Sequence, residues 1–277
     1  MEQYLNQVDQ ILRSGEWTNN RTGVDTIEIW GMCARYRLQE GFPAVTTKVL
    51  PFKSMLSELI WFLSGSSNIN DLKIIYPKNK FWDANYQDYI KRTKNPDDGD
   101  MGSIYGYNWR YFVGDGVEID QIAQLEKDLI NNRDSRRLIV SAWHPCYLDS
   151  DEAALPPCHV MFQARVINEK LHLLMYQRSC DMFLGVPNNV ASYATLTYML
   201  AHTTGLQVGD FVHVMGSAHI YKNHQDQMYT MLTRKPYPLP TLSIKDRGQM
   251  KLTDFEMEDF KLENYQHHPQ LRGEMAV

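Results

Sequence analysis

The sequence predicts an α+β fold, in the sense of a layered α/β arrangement, in a single domain spanning residues 1–277. Three observations predict it. Segments with the apolar periodicity of helices alternate irregularly with segments whose apolar and polar residues alternate as in strands. No internal repeat and no long linker interrupts the chain. The chain has 277 residues, 43% of them hydrophobic, which is enough to bury one large core.

Three segments carry apolar residues at helical spacing. In residues 1–14 these are Leu5, Val8, Ile11 and Leu12. Residues 55–63 show the same spacing, and Gly65 is placed to end that helix. Residues 193–202 form the third segment, which we expect to stop at Gly205.

Three further segments favour strands. Residues 138–143 form a largely apolar run, which is typical of a buried strand. In residues 160–166 apolar and polar side chains alternate, the apolar ones being Val160, Phe162, Ala164 and Val166. Asn168-Glu169 favours a turn, and residues 171–177 then form the second strand of a predicted hairpin.

Charge and composition argue against several classes of protein. A formal net charge of −5 and an isoelectric point near 6.0 argue against a general nucleic-acid binder, so we expect no stable nucleic-acid partner. No apolar run reaches the length of about 18 residues that a membrane span needs. The first residues lack the basic and apolar regions of a signal peptide, so we expect a cytoplasmic protein.

The four cysteines are Cys33, Cys146, Cys158 and Cys180. They form no CxxC pair and show no metal-ligand spacing, which predicts reduced thiols in a cytoplasm and no bound metal. The pair His267-His268 has no cluster of further ligands beside it in the sequence, so we do not interpret it as a metal site.

Cys158 is the candidate nucleophile and lies in the run Leu155-Pro156-Pro157-Cys158-His159. A lone cysteine is more often a small buried hydrophobic residue. About twenty residues later, however, Arg178 and Ser179 provide a guanidinium and a hydroxyl, which suit a phosphate group. A nearby guanidinium also favours the thiolate, which is the nucleophilic form of cysteine.

These runs resemble the thymidylate synthase superfamily. The resemblance extends through nearly the whole chain in the family's order, in Asn20-Arg21-Thr22-Gly23, Val45-Thr46-Thr47-Lys48, Glu58-Leu59-Ile60-Trp61-Phe62-Leu63, Asp134-Ser135-Arg136-Arg137, Gln177-Arg178-Ser179-Cys180-Asp181 and His219-Ile220-Tyr221. It implies a large mixed sheet covered by helices on one face and packed against a second subunit on the other. It also implies deoxyuridylate (dUMP) as substrate, 5,10-methylenetetrahydrofolate as co-substrate, no metal, and an obligate homodimer that shares arginines across its interface.

The resemblance implies six catalytic residues. They are Cys158 as the nucleophile toward C6 of the base, Glu58 for proton transfers through ordered water, Tyr105 near the C5 proton, Trp82 as a shield of the reactive intermediate, and Arg178 with Asn189. A thiolate that adds at C6 makes C5 of uracil nucleophilic enough to attack a one-carbon unit. Taken alone, Glu58 would be interpreted as a surface residue of a helix.

Binding roles follow from the same resemblance. The substrate-binding residues are Arg21, Arg136, Arg137, Arg178 and Ser179 for the phosphate, His219 and Tyr221 for the sugar 3′-hydroxyl, and Asp181 and Asn189. Arg136 and Arg137 are implied to serve the site of the other subunit. Contacts to folate are implied for Trp82, Asp181, Gly185 and Ala276, the last in a C-terminal segment that folds over the occupied site.

Asn189 is the residue implied to select the base. An amide can donate to O4 of uracil and accept from its N3–H, whereas cytosine presents the opposite pattern at these two atoms. Relatives that act on deoxycytidylate have an aspartate at this position, so Asn189 favours dUMP.

Four residues around the site depart from the thymidylate synthase pattern. Asn85 replaces a second tryptophan, Ser103 a proline, Asn188 a phenylalanine and Ser217 an aspartate. The phage deoxynucleotide hydroxymethylases share these departures. A water at these four polar residues would add to the exocyclic methylene before a hydride does, giving a 5-hydroxymethyl product. We therefore expect a dUMP hydroxymethylase for phage DNA modification, active in the host cytoplasm, with these four residues determining the product.

Two alternatives stay open. One is an ordinary thymidylate synthase, which makes thymidylate (dTMP) and dihydrofolate by reductive methylation. The other is a non-catalytic relative that binds its own messenger RNA, and four retained residues argue against it: Cys158, Arg178, Glu58 and Asn189.

Overall fold

The computed structural model describes residues 1–20, 22–93, 96–148 and 152–274, and all structural statements below concern these residues. Its helices are α1 (Glu2–Ser14), α2 (Phe52–Ser64), α3 (Ile69–Ile75), α4 (Asp83–Thr93), α5 (Tyr105–Arg110), α6 (Gln121–Asn131), α7 (Gly185–Thr204) and α8 (Gln225–Thr233). Its strands are β1 (Glu16–Thr18), β2 (Thr26–Arg37), β3 (Phe112–Gly114), β4 (Val117–Ile119), β5 (Ile139–Ser141), β6 (His159–Ile167), β7 (Lys170–Asp181), β8 (Gln207–Tyr221), β9 (Thr241–Ile244) and β10 (Phe260–Glu263).

Six strands form one large mixed sheet in the order β1-β2-β8-β7-β6-β5. β7 and β8 run parallel, whereas the other neighbouring strands of this sheet run antiparallel. Parallel neighbours need a crossover connection, and here α7 provides it. The α+β class with a large mixed sheet is therefore confirmed.

The three predicted helices are present, and one is longer than predicted. α2 and α7 are followed by Gly65 and Gly205, whose φ angles of 79° and 67° give the left-handed conformation that ends a helix. α7 begins at Gly185 rather than near Tyr193. Its first turn contains Pro187, which is tolerated there because the first N–H groups of a helix have no intrahelical acceptor.

The predicted hairpin is formed by β6 and β7. Asn168 and Glu169 between them have φ angles of 50° and 58°, the left-handed geometry of a tight hairpin turn. The register shifts between His159 and Met161, so Val160 is half-buried rather than buried. The predicted buried strand over 138–143 is wrong in extent, because β5 is a three-residue edge strand.

The two faces of the sheet differ in their exposure. Along β7 from Lys170 to Arg178, buried residues alternate with half-buried ones, and the buried ones are Leu171, Leu173, Met175 and Gln177. α7 packs against β7 and β8. The residues between them, including Leu174 and Tyr176, are half-buried. Helices thus cover one face, and the opposite face keeps a partly exposed apolar surface.

Candidate active site

Predicted site residues lie side by side on neighbouring strands. Two register pairs join β7 and β8, namely Ser179 with Ser217 and Asp181 with His219. Next to them, the backbone N–H of Arg178 donates to the carbonyl of Cys158 over 2.9 Å. Because side chains of register partners project to the same side of a sheet, the strands bring distant sequence segments into one site.

Cys158 lies between Tyr105 and Arg178. Its backbone N–H donates to the Tyr105 hydroxyl over 2.7 Å, and its sulfur lies 4.0 Å from Nη2 of Arg178. The guanidinium is held in place because it donates to the carbonyls of Pro157 over 2.9 Å and Pro156 over 3.0 Å. The two prolines of the cysteine motif therefore position the cation that lies beside the thiol.

Tyr105 reaches Cys158 because α5 packs unusually close to α2. A Cβ on Gly106 would lie only 2.4 Å from the carbonyl oxygen of Phe62, so no larger residue fits there. The rings of Tyr105 and Phe62 stack with centroids 4.9 Å apart. In the Tyr105-Gly106 pair, glycine thus allows the close packing of the two helices, and tyrosine brings its hydroxyl to Cys158.

Glu58 and Trp82 form a hydrogen-bonded pair near the site. Nε1 of Trp82 donates to Oε1 of Glu58 over 2.6 Å. Burial raises the pKa of Glu58 to about 7, although the bond from Trp82 acts in the opposite direction. A carboxyl group with this pKa can both accept and donate a proton near neutral pH.

The amide of Asn189 is oriented by a chain of buried polar groups. Nε2 of Gln177 donates to the backbone carbonyl of Ser179 over 2.9 Å and to Oδ1 of Asn189 over 3.1 Å. The Ser179 carbonyl can only accept, so the side-chain atom of Gln177 that faces both Ser179 and Asn189 is Nε2. Oε1 of Gln177 then faces Nε2 of His213, 3.0 Å away, and this histidine nitrogen must carry the proton. Burial lowers the pKa of His213 to about 3, so its ring is neutral.

His159 completes this polar group on the other side of Asn189. Burial lowers its pKa to about 4, and a hydrogen bond with the Asn189 side chain acts against that shift. A neutral histidine next to the amide avoids a fixed charge beside the predicted base position.

Two of the predicted folate contacts, Asp181 and Gly185, lie where β7 leads into α7. Oδ1 of Asp181 accepts from the backbone N–H groups of Phe183 and Leu184 over 2.9 and 3.2 Å. Nζ of Lys48 donates to the Phe183 carbonyl over 2.6 Å, and burial lowers the pKa of Lys48 to about 8, with Asp181 opposing the shift. A Cβ on Gly185 would meet Oδ1 of Asn189 at 3.4 Å and Cβ of Asp181 at 3.7 Å, so glycine keeps space open between them.

His219 and Tyr221 lie at the end of β8. Their rings are 5.2 Å apart and perpendicular. Nδ1 of His219 lies 3.3 Å from both the hydroxyl and the backbone carbonyl of Ser217. The Ser217 hydroxyl donates to Oε2 of Glu28 over 2.5 Å.

Two predicted phosphate ligands are not brought to this site by their own chain. Arg136 and Arg137 are exposed in the segment before β5. Gln163 of β6 donates to the Arg136 carbonyl over 2.8 Å. Among the described residues neither guanidinium has a hydrogen-bonding or ion-pair partner. Two other predicted ligands, Arg21 and Ala276, lie outside the described residues.

The four residues predicted to determine the product differ in the hydrogen bonds that they already make. Nδ2 of Asn188 donates to the Leu184 carbonyl over 2.8 Å, which leaves its buried Oδ1 without a partner among the described residues. The Ser217 hydroxyl is bonded to Glu28. Ser103 binds through its backbone, since its N–H donates to the Glu152 carbonyl over 2.9 Å. Asn85 is half-buried on α4.

The chain also approaches the folate region near its C-terminus. Nε2 of His224 donates to the carbonyl of Glu274 over 2.9 Å, and its ring lies 4.8 Å from that of Phe183. A Cβ on Gly273 would lie 2.6 Å from the Phe183 ring. The segment that precedes the predicted C-terminal flap thus packs directly against the start of α7.

Sequence reasoning missed four contributors to the site: Glu28, His159, Gln177 and His213. His159 and Gln177 adjoin the two motifs, and their positions next to Cys158 and Arg178 were a usable signal. Glu28 and His213 had none, because strand register alone brings them in. β2 lies beside β8 for Glu28, and β7 lies beside β8 for His213.

No helix among the described residues has the length and apolarity to cross a membrane. Within the same residues, no cluster of three or more histidine, cysteine, aspartate or glutamate side chains is arranged to bind a metal ion.

Comparison with known proteins gives two findings. The profile of the family described as "Thymidylate synthase" matches residues 2–277. The human protein (Homo sapiens) described as "Thymidylate synthase" is 44% identical over 287 aligned positions, which cover 99% of this chain and 90% of the human protein.

These findings overturn one prediction. The expected dUMP hydroxymethylase activity is wrong, because likeness over 99% of the chain to a thymidylate synthase favours dTMP synthesis, the alternative left open above. At one of the four positions an expected water would find the donor already used, because the Ser217 hydroxyl donates its proton to Glu28.

Proposed function

The chain belongs to the thymidylate synthase family, and on this premise we propose that it converts dUMP to dTMP by reductive methylation. The co-substrate is 5,10-methylenetetrahydrofolate, which supplies the one-carbon unit and a hydride and leaves as dihydrofolate. The observation that carries the proposal is the sulfur of Cys158 beside the guanidinium of Arg178, 4.0 Å from Nη2.

Cys158 begins the reaction. Its thiolate adds to C6 of uracil, and the electrons of the C5–C6 double bond move into the ring as an enolate, which makes C5 a nucleophile. Arg178 favours the thiolate by its charge. Cys180 is a poor alternative nucleophile, because it is buried and burial raises the pKa of its thiol far above the ordinary value.

The phosphate is bound by Arg178 and Ser179. Two carbonyls fix Nε and Nη2 of the guanidinium, so the remaining N–H groups at Nη1 stay available for a phosphate oxygen. Arg21, Arg136 and Arg137 complete the phosphate site by the family resemblance.

Asn189 selects uracil. Its Oδ1, which Gln177 orients over 3.1 Å, accepts from N3–H of the base. Its Nδ2 then donates to O4. Because the Ser179 carbonyl fixes the orientation of Gln177, Asn189 cannot exchange its oxygen and nitrogen without breaking a buried hydrogen bond, and cytosine is disfavoured.

Glu58 moves protons around the base. Its raised pKa of about 7 keeps both protonation states accessible near neutral pH. The Tyr105 hydroxyl lies near the proton that leaves C5. The backbone N–H of Cys158 holds this hydroxyl in place by a 2.7 Å hydrogen bond. Trp82, fixed by Glu58, shields the methylene intermediate from water.

The residues at the start of α7 fit the pterin of the folate. Gly185 leaves open the space between Asp181 and Asn189 that a side chain would fill. Asp181, Gly185, Trp82 and Ala276 are the proposed folate contacts. Lys48, which donates to the Phe183 carbonyl, and Gly273, which packs against the Phe183 ring, stabilise the segment between Asp181 and Gly185.

The active protein is a homodimer in this proposal. The partly exposed apolar face of the sheet, with Leu174 and Tyr176, packs against the same face of a second copy. The guanidinium groups of Arg136 and Arg137, which have no partner within the described part of their own chain, then reach the phosphate of the other subunit. A single catalytic domain over residues 1–277, a cytoplasmic location and the lack of a stable nucleic-acid partner stay predictions.

The proposal is tested by product analysis. Wild-type protein with dUMP and 5,10-methylenetetrahydrofolate should form dTMP and dihydrofolate in equal amounts. Cys158→Ser should abolish turnover and still bind dUMP, whereas the matched variant Cys180→Ser should keep most of the activity. Turnover by Cys158→Ser near the wild-type rate would show that another group attacks C6.

A further inference from the structure

Glu28 of β2 brings a carboxylate to the sugar end of the site. It is the register partner of His219 on β8, and its Oε2 accepts a 2.5 Å hydrogen bond from Ser217. This distance is typical of a bond between a hydroxyl and a charged oxygen. Ser217 is also the position where the family pattern has an aspartate, so this chain carries the carboxylate on the neighbouring strand instead.

The contacts determine which nitrogen of His219 carries the proton. Nδ1 lies 3.3 Å from the Ser217 carbonyl, which can only accept. It lies equally far from the Ser217 hydroxyl, whose own proton is directed to Glu28. Both neighbours of Nδ1 therefore act as acceptors, and Nδ1 must be the donor. In a neutral imidazole Nε2 is then unprotonated and can only accept.

We propose that Glu28 is a positioning residue that fixes, through Ser217, the Nδ1-protonated form of His219, so that Nε2 accepts a hydrogen bond from the sugar 3′-hydroxyl. This inference rests on the proposed function, in which His219 binds that hydroxyl. A glutamine at position 28 could donate to Ser217, which would free the Ser217 hydroxyl to donate to Nδ1. Nε2 would then carry the proton and could no longer accept the hydrogen bond from the sugar 3′-hydroxyl.

The test compares two nucleotides that differ only in the 3′-hydroxyl. Dissociation constants are measured for dUMP and for 2′,3′-dideoxyuridine 5′-monophosphate with wild-type and Glu28→Gln protein. Loss of one hydrogen bond predicts that the preference for dUMP falls about fivefold in the variant. Affinity for the dideoxy nucleotide should stay within about twofold of the wild type, since that ligand makes no such bond. Equal weakening of both ligands, or no change in either, would overturn the proposal.

Two further variants separate this role from general charge or fold effects. Glu16 is the register partner of Glu28 on β1 and is exposed, so Glu16→Gln removes the same charge from the adjacent strand and should leave the preference unchanged. The double variant Glu28→Ser with Ser217→Asp moves the carboxylate to position 217 and should restore the preference lost in Glu28→Gln. A preference that follows Glu16, or a double variant without recovery, counts against the proposal.

A spectroscopic readout needs no variant of Glu28. In protein labelled with ¹⁵N at histidine, the ring of His219, assigned by its absence in His219→Gln, should show a protonated Nδ1. A protonated Nε2 would refute the inference. The two proposals can fail separately: wild-type protein could form dTMP without distinguishing the two nucleotides, or it could distinguish them and form no dTMP.

Discussion

Glu58 should make the stability of this protein fall as the pH rises. Burial raises the pKa of its carboxyl from the ordinary 4.5 to about 7. Between these values the folded state holds a proton that the unfolded chain has released. The folded state is therefore favoured most below pH 4.5, and it loses this contribution as the pH rises to about 7. Glu58→Gln keeps an oxygen that accepts from Trp82, carries no charge at any pH, and lacks this dependence.

The magnitude follows from the shift. A rise of the pKa from 4.5 to about 7 corresponds to roughly 3 kcal/mol, most of which appears between pH 5 and pH 8. The free energy of unfolding of Glu58→Gln, relative to wild type, should rise by that amount over this interval. The buried His159 and His213 also titrate differently on folding, but they are present in both proteins and cancel.

The assay is urea unfolding at pH 5 and pH 8, at one protein concentration because the proposed dimer would dissociate on unfolding. Glu118→Gln is the matched control, since Glu118 is exposed on β4, and it should track the wild type. Parallel pH profiles for Glu58→Gln and wild type would show that Glu58 ionises in the folded protein as it does in water, and would refute its role as a group poised near neutral pH. In activity, Glu58→Gln should lower kcat by about 10²–10⁴-fold.

Three further predictions concern the base, the dimer and the packing of α5. Asn189→Asp should shift the ratio of kcat/KM for dUMP over deoxycytidylate by about 1–3 kcal/mol toward deoxycytidylate, because a protonated carboxyl can donate to N3 and accept from the amino group; an unchanged ratio would remove Asn189 as the selector. Mixing inactive Cys158→Ser with inactive Arg137→Ala chains should restore part of the activity in heterodimers, because one site then keeps both wild-type residues; demonstrated heterodimers without activity would exclude a shared site. Gly106→Ala should lower the free energy of unfolding by about 1–3 kcal/mol through overpacking against Phe62, measured by urea unfolding; a variant as stable as wild type would contradict the close approach.

Much of the local structure could be predicted from the sequence. Apolar spacing and a following glycine located α2, and Asn168-Glu169 marked the turn of the β6–β7 hairpin, because both signals act within a few residues. The start of α7 was missed, since Pro187 and the two asparagines after it are poor helix formers away from a first turn. The exposure of Ile139, 44%, reflects the edge position of β5, which apolar content does not reveal.

The candidate site was predictable where motifs carried it and unpredictable where strand register did. The contact of Cys158 with Arg178 joins two recognised runs. The bond from Ser217 to Glu28 joins residues 189 positions apart, and no local pattern indicates which residue of β2 lies beside β8. The expectation that Ser217 holds a water was made without this contact, which commits the hydroxyl proton to Glu28.

The most direct test of reductive methylation follows a hydride into the product. The co-substrate is prepared with deuterium on the tetrahydropterin ring carbon that is oxidised when dihydrofolate forms, and the nucleotide product of the wild-type protein is weighed. Reductive methylation predicts thymidylate that carries one deuterium in its methyl group, with one dihydrofolate per product. A product without deuterium and one oxygen heavier than thymidylate, formed without dihydrofolate, would contradict it.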